Sequence, residues 1–190
     1  MDRYATTHLA LVVDRSGSME RDALRAVGAG ITALCARGGR YDRLTLISYA
    51  EDVTTHCRAA VLTSTLLTEL CALLADLPCR GATDLAAGWV AGCQALLDPD
   101  DPPTYTHLLL LTDGYTNSGL ATPAELTQRV RELRRLGVHT STCGIGYEYD
   151  GGLLAAIARA GDGRFHPALT PARISAAIVD TLAPTLCPVG

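Results

Sequence analysis

The sequence reads as an α/β protein, with a doubly wound, mostly parallel six-stranded sheet, one antiparallel edge strand and helices on both faces. Three observations predict this. Short apolar runs alternate with amphipathic segments along the chain, the pattern of repeated βαβ units. The run 107–112 holds four consecutive leucines, as a strand buried on both faces requires. Only Glu51-Asp52 separates two strand-like runs, and so short a link permits a hairpin but no parallel crossover.

Taken in order, 8–13 is the first strand, and 20–37 is a helix with Leu24, Val27, Ile31, Leu34 and Cys35 at helical spacing, stopped by Gly38-Gly39. Strands follow at 43–50 and 53–62, the second being the expected antiparallel edge. Thr63 or Ser64 caps a helix to about Ala75, ended by Pro78, and Arg80-Gly81-Ala82-Thr83-Asp84 leads into another at 85–97. The Pro-rich stretch 98–103 is a turn-rich linker, because its carboxylates lack the downstream Glu of a calcium loop. After the leucine-rich strand, Thr122, Pro123 and Glu125 supply an N-cap, a Pro at the first helical position and a capping-box Glu for a helix at 123–136. A strand at 138–143, a helix at 153–160, a short strand at 164–166 and a last helix from Thr170-Pro171 to about Leu182 complete the alternation.

A chain of 190 residues with 48% hydrophobic and 19% charged residues suits one domain, 1–190, with its core at about 7–183 and a tail at 184–190. No apolar run approaches a membrane span, and the first residues lack a basic segment followed by an apolar stretch, so a cytoplasmic location is expected. The seven cysteines contain no C-x-x-C pair, which argues against a disulfide framework or a zinc knuckle; Cys35, Cys71, Cys93 and Cys143 are expected to pack as small hydrophobes. The net charge is −4, and Arg129, Arg131, Arg134 and Arg135 form the one basic cluster. It lies on a single helix and reads as a solvated face, so no nucleic-acid partner is expected. Every basic residue is Arg, a composition that suggests a GC-rich bacterial genome.

The chemistry-bearing residues stand at strand ends. Asp14, Ser16 and Ser18 follow the first strand, Thr83 precedes a helix, and Asp113 closes the leucine-rich strand. In open α/β sheets ligands bind beyond the carboxyl ends of the strands, where neighbouring loops diverge. An all-oxygen set without thiolate or imidazole suits Mg²⁺, with Mn²⁺ or Ca²⁺ as alternatives. Taken singly, each has a plainer reading: Ser16, Ser18 and Thr83 as helix caps, Asp113 as a turn former before Gly114. Their joint occurrence in order favours the metal.

Asp14-x-Ser16-x-Ser18, Gly81-x-Thr83 and Thr112-Asp113-Gly114 together resemble the metal-ion-dependent adhesion site of von Willebrand factor type A domains, and the resemblance covers nearly the whole chain. The later segment from Gly144-Ile145-Gly146 to Gly161-x-Gly163-Arg164-Phe165 is similar to bacterial members related to inter-alpha-trypsin-inhibitor heavy chains and calcium-activated chloride channel proteins. The resemblance implies that Ser16, Ser18 and Thr83 ligate the metal through hydroxyls, while Asp14 and Asp113 act largely through water or hydrogen bonds.

Neutral hydroxyls leave the ion electrophilic, so it is suited to take an Asp or Glu carboxylate from a partner protein. A protein-binding module is therefore expected, and the resemblance implies a role as an adaptor in a bacterial multi-protein system. Arg15, Met19, Asp84, Tyr115 and Asn117 are candidates for the partner-binding rim. A metal-dependent phosphatase is the alternative enzyme class, but the second acidic residue such a site needs two positions after Asp14 is here Ser16. A scaffold with a merely stabilising metal is the third reading.

Overall fold

The computed structural model describes residues 7–36, 41–97, 105–114 and 122–181. The elements follow as β1 (Thr7–Asp14), α1 (Arg21–Ala36), β2 (Tyr41–Tyr49), β3 (Val53–Ala60), α2 (Ser64–Asp76), α3 (Leu85–Leu96), β4 (Tyr105–Thr112), α4 (Pro123–Arg135), β5 (Val138–Ile145), α5 (Gly151–Ala160), β6 (Phe165–Ala168) and α6 (Pro171–Thr181). The six strands form one sheet in the order β3-β2-β1-β4-β5-β6. All neighbours run parallel except β2 and β3, whose antiparallel pairing follows from the two-residue link. The fold class and the edge strand are those the sequence predicts.

Two cores flank the sheet because successive strand residues point to opposite faces. Leu9, Leu11 and Val13 of β1 pack with Leu109 and Leu111 of β4 beneath α1, α2 and α6. Ala10, Val12, Leu108 and Leu110 pack with residues of α3, α4 and α5, among them the buried Trp89. Leu108 to Leu111 are all fully buried, which explains the unbroken apolar run. Helix α3 lies unusually close to the sheet: a Cβ on Gly88 would meet the Tyr49 ring at 2.5 Å, and one on Gly92 would meet Leu108 and Val12 at 2.6 Å.

Several boundaries differ from the sequence reading. Strand β3 stops at Ala60, two residues short of Leu62, next to Ala59 at a positive φ of 46° and after two shifts in its pairing with β2. The left-handed residue lies in the second of these shifts, a bulge after which a single pair, Leu44 with Ala60, closes the ladder. Cys93 and Cys143 are buried as expected, whereas Cys35 and Cys71 are only half-buried along α1 and α2. Gly38-Gly39 and the 98–103 linker lie outside the described residues.

The order also shows where the chain changes direction. From β1 it steps outward to β2, then returns across β1 to β4 on the other side. The carboxyl ends of β1 and β4 are thus the switch point from which loops diverge, and Asp14 and Asp113 stand there.

Candidate metal centre

The loop after β1 is held from three sides. Arg15 N–H donates to Tyr49 O at 2.8 Å, Gly17 N–H to Gly81 O at 3.2 Å, and Arg80 N–H to Arg15 O at 2.9 Å. The loop carrying Thr83 is fixed in turn by Asp84 N–H donating to Ala50 O at 3.0 Å and Ala82 N–H to a Glu51 carboxylate oxygen at 3.2 Å. Tyr49, fully buried, donates its hydroxyl to Leu111 O at 3.3 Å and so ties β2 to β4 across β1. These bonds satisfy the backbone of the loops and set their side chains against one another.

Asp14 is fully buried, and both its oxygens are engaged: Oδ1 accepts from Ser16 N–H at 2.8 Å and Oδ2 from the Thr112 hydroxyl at 2.7 Å. Ser16 and Ser18 hydroxyls are 3.3 Å apart, and Ser18 donates to Asp113 Oδ1 at 2.9 Å. Thr83 reaches the same place: a Cβ built on Gly114 would stand 3.8 Å from Ser18 Oγ and 3.9 Å from Thr83 Oγ1. Gly114 thus leaves open the space on which these hydroxyls converge. The structure brings together Asp14, Ser16, Ser18, Thr83 and Asp113, from three loops separated by up to about a hundred residues.

The electrostatics fit a cation. Burial pushes Asp14 up from its ordinary value, opposed by the Thr112 and Ser16 hydrogen bonds. Asp113 is pushed up to about 6, chiefly by burial, with the Ser18 bond opposing and the Asp14 and Glu148 charges adding to the rise. Two partly desolvated carboxylates side by side repel, and a positive charge between them removes that penalty. The donors are hard oxygens only, and among the described residues no cluster of three or more His, Cys, Asp or Glu offers a competing site.

The plainer capping readings are settled in part. Helix α3 is capped by Asp84, whose Oδ1 accepts from Ala87 N–H at 2.9 Å, so Thr83 does not serve as its N-cap. Ser18 turns its hydroxyl to Asp113.

The rim needs correction. Met19 is buried in the core beneath α1, because its side chain completes the apolar face there. Arg15 is also buried and pairs with Asp52 of the β2–β3 turn, so its charge braces the loop from behind. Asp84 is half-buried and engaged as a cap, and Tyr115 and Asn117 lie outside the described residues. Sequence reasoning missed two supports. Thr112 sits in the Thr-Asp-Gly triplet, and its strand position before Asp113 was the available signal. Glu51 gave none, since an acidic turn residue is commonplace.

An open, mostly parallel sheet with hydroxyls and carboxylates gathered at its switch point defines a class of α/β ligand-binding domain. The profile of the von Willebrand factor type A domain matches residues 8–172, and the chain belongs to that family. Domains of this family are metal-dependent interaction modules. A curated relative is the "uncharacterized protein YfbK" of Escherichia coli (strain K12), 26% identical over 166 residues that make up 86% of this chain and 28% of that protein. The chain therefore spans under a third of that relative's length.

Solved structures that it resembles include a von Willebrand factor type A protein from Catenulispora acidiphila, with 20% identity, a TM-score of 0.73, and 96% of this chain and 43% of that one covered. Proximal thread matrix protein 1 from the mussel byssus, with a zinc-occupied metal-ion-dependent adhesion site, matches at 18% identity and a TM-score of 0.72, covering 94% of this chain and 45% of that one. The conserved hypothetical protein BatB from Bacteroides thetaiotaomicron matches at 14% identity and a TM-score of 0.71, covering 95% of this chain and 98% of that one. At these identities the likeness is one of fold.

Proposed function

We propose that this domain, a single folding unit over 1–190, binds a partner protein through a divalent metal, Mg²⁺ before Mn²⁺ or Ca²⁺, held by the Ser16, Ser18 and Thr83 hydroxyls. Asp113 orients the Ser18 hydroxyl, Asp14 holds the loop that carries Ser16, and both supply negative charge behind the donors. The observation that supports this reading is that the Ser18 and Thr83 hydroxyls both approach the space beside Gly114, with Ser16 and Asp113 hydrogen-bonded to Ser18 and Asp14 buried behind the loop. The bound ion would supply a Lewis-acidic position for a carboxylate oxygen of a partner's Asp or Glu. Because Asp14 spends an oxygen on Ser16 N–H and another on Thr112, it is a buttress for the loop rather than a base.

The hard oxygen set supports Mg²⁺ over zinc, which takes nitrogen and sulfur donors more readily. A binding role is favoured over phosphatase chemistry because Ser16 stands where the acid/base carboxylate would be needed. Among the described residues no helix is long and apolar enough to cross a membrane. The domain is best suited to act as an adaptor in a multi-protein bacterial system in the cytoplasm, of the subtype related to inter-alpha-trypsin-inhibitor heavy chains.

Thermal melts and affinity capture test the reading together. Mg²⁺ should raise the Tm of the purified chain and EDTA should reverse it, and capture from the native host should be lost with EDTA and with Asp14→Ala. Capture that survives both treatments would refute metal-bridged binding.

A further inference from the structure

A cleft of about 430 Å³ opens directly beside the oxygen cluster, with Ser18 and Asp113 forming one end. The loops that follow β1, β5 and β6 enclose it, so it lies on the same edge of the sheet as the cluster. Its floor is apolar, made by Ile145, Ala168 and Ile174, all buried, and Leu169 adds an exposed apolar wall. Its rim is acidic. Glu20 and Glu148 are exposed there, and Asp22 stands with them but already holds Arg25 at 3.5 Å. Among the described residues no Arg or His lines the cleft, and the chain contains no Lys.

This combination selects its occupant. Phosphate-bearing ligands meet repulsion at the rim, and a bare ion leaves the apolar floor unused. A polypeptide satisfies both, since an apolar side chain covers the floor and a cation neutralises the rim. We infer that the cleft receives the partner segment flanking the metal-bound carboxylate, and that this segment carries an apolar side chain for the floor and an Arg or Lys for the Glu20 and Glu148 rim. The inference rests on the metal-bridged reading above and adds the partner's chemistry to it. The partner sequence is thus an acidic residue with apolar and basic neighbours.

The test is a selection of short displayed peptides with one fixed central Asp and random flanks, on the full chain in Mg²⁺, eluted with EDTA. Enrichment of Leu, Ile, Val, Phe or Met together with Arg or Lys in the flanks is expected. Reselection on Glu148→Arg should replace the basic preference by an acidic one, and a peptide selected on the unaltered chain should bind that variant about tenfold more weakly. Reselection on Leu169→Asp should remove the apolar preference. EDTA-eluted peptides with random flanks, or preferences unchanged by both substitutions, would overturn the cleft's role while leaving metal bridging intact. Recovery of no EDTA-eluted peptide would overturn both.

Discussion

His107 provides the most quantitative prediction. It is buried near the start of β4, with Nδ1 at 2.9 Å from the Tyr105 hydroxyl and Nε2 at 2.8 Å from Ser141 Oγ, and its ring stacks on His139 at 5.9 Å. Its pKa is pushed down to about 3, first by burial and then by His139 and His166, with Asp162 opposing. In the unfolded chain the ring titrates near about 6.5. Between those values the unfolded state binds a proton that the folded state refuses, so stability falls as pH falls through this window. At pH 5 the loss relative to pH 8 is about 2 kcal/mol. That figure depends on the unfolded pKa alone while the folded one stays well below 5. Asp113, raised to about 6, contributes with the opposite sign, its share being lost as pH rises, so the contribution of His107 is read as a difference against a variant. His107→Gln keeps a hydrogen-bonding amide but cannot be protonated. Urea denaturation at pH 5 and pH 8 should show the unaltered chain losing about 2 kcal/mol more than His107→Gln on acidification. Parallel pH dependences, or a folded-state His107 pKa near 6 by NMR, would refute the reasoning.

Other outcomes follow from the site and its frame. Ser18→Ala, at an exposed position, should change the stability of the metal-free chain by under about 1 kcal/mol yet abolish most of the Mg²⁺-dependent rise in Tm, both read in one set of melts. Asp14→Ala should lose that rise and also destabilise the metal-free fold, because Ser16 N–H and the Thr112 hydroxyl each lose a buried acceptor, at about 1–3 kcal/mol apiece less the relief of no longer burying a carboxylate. Gly163→Ala places a Cβ 2.2 Å from Thr140 O, so a loss of about 1–3 kcal/mol is expected by urea denaturation. Thr122→Ala removes the capping box of α4 and should cost about 1 kcal/mol, with faster amide exchange at Glu125 as its local signature.

What was legible in the sequence was whatever one local rule governs. Thr122, Pro123 and Glu125 announced α4 because capping is decided within one turn, and Glu51-Asp52 announced the antiparallel edge because two residues cannot span a crossover. Asp14, Ser16, Ser18 and Asp113 could be named because they stand at or just past the ends of β1 and β4, and Thr83 because it precedes α3 in the motif order; the fold sets these loops side by side. The rim was less legible. Met19 and Arg15 neighbour the cluster in sequence, yet one turns into the core and the other back to Asp52. Their directions are set by contacts with α1 and with the β2–β3 turn, which no local pattern records. Ending β3 at Leu62 failed for a similar reason, since Thr and Val content sets strand propensity while the pairing with β2, bulged at the left-handed Ala59, runs out at Ala60. Glu51 and the cleft beside Ser18 arise only when distant loops meet.

The hydroxyls gathered beside Gly114 have a thermodynamic corollary. Thiolates and imidazoles can hold an ion even in a denatured chain, but isolated Ser and Thr hydroxyls compete poorly with water. An ion bound by Ser16, Ser18 and Thr83 would therefore recognise the native state almost exclusively, and nearly all of its binding free energy would appear as resistance to unfolding. Because these donors come from two loops, with Asp113 on a third, and the three meet only when β1, β2 and β4 are side by side, such an ion would also report that the sheet is complete. A chain synthesised as far as β3 would have no grip on it, and a partner that requires the ion would ignore nascent or damaged copies.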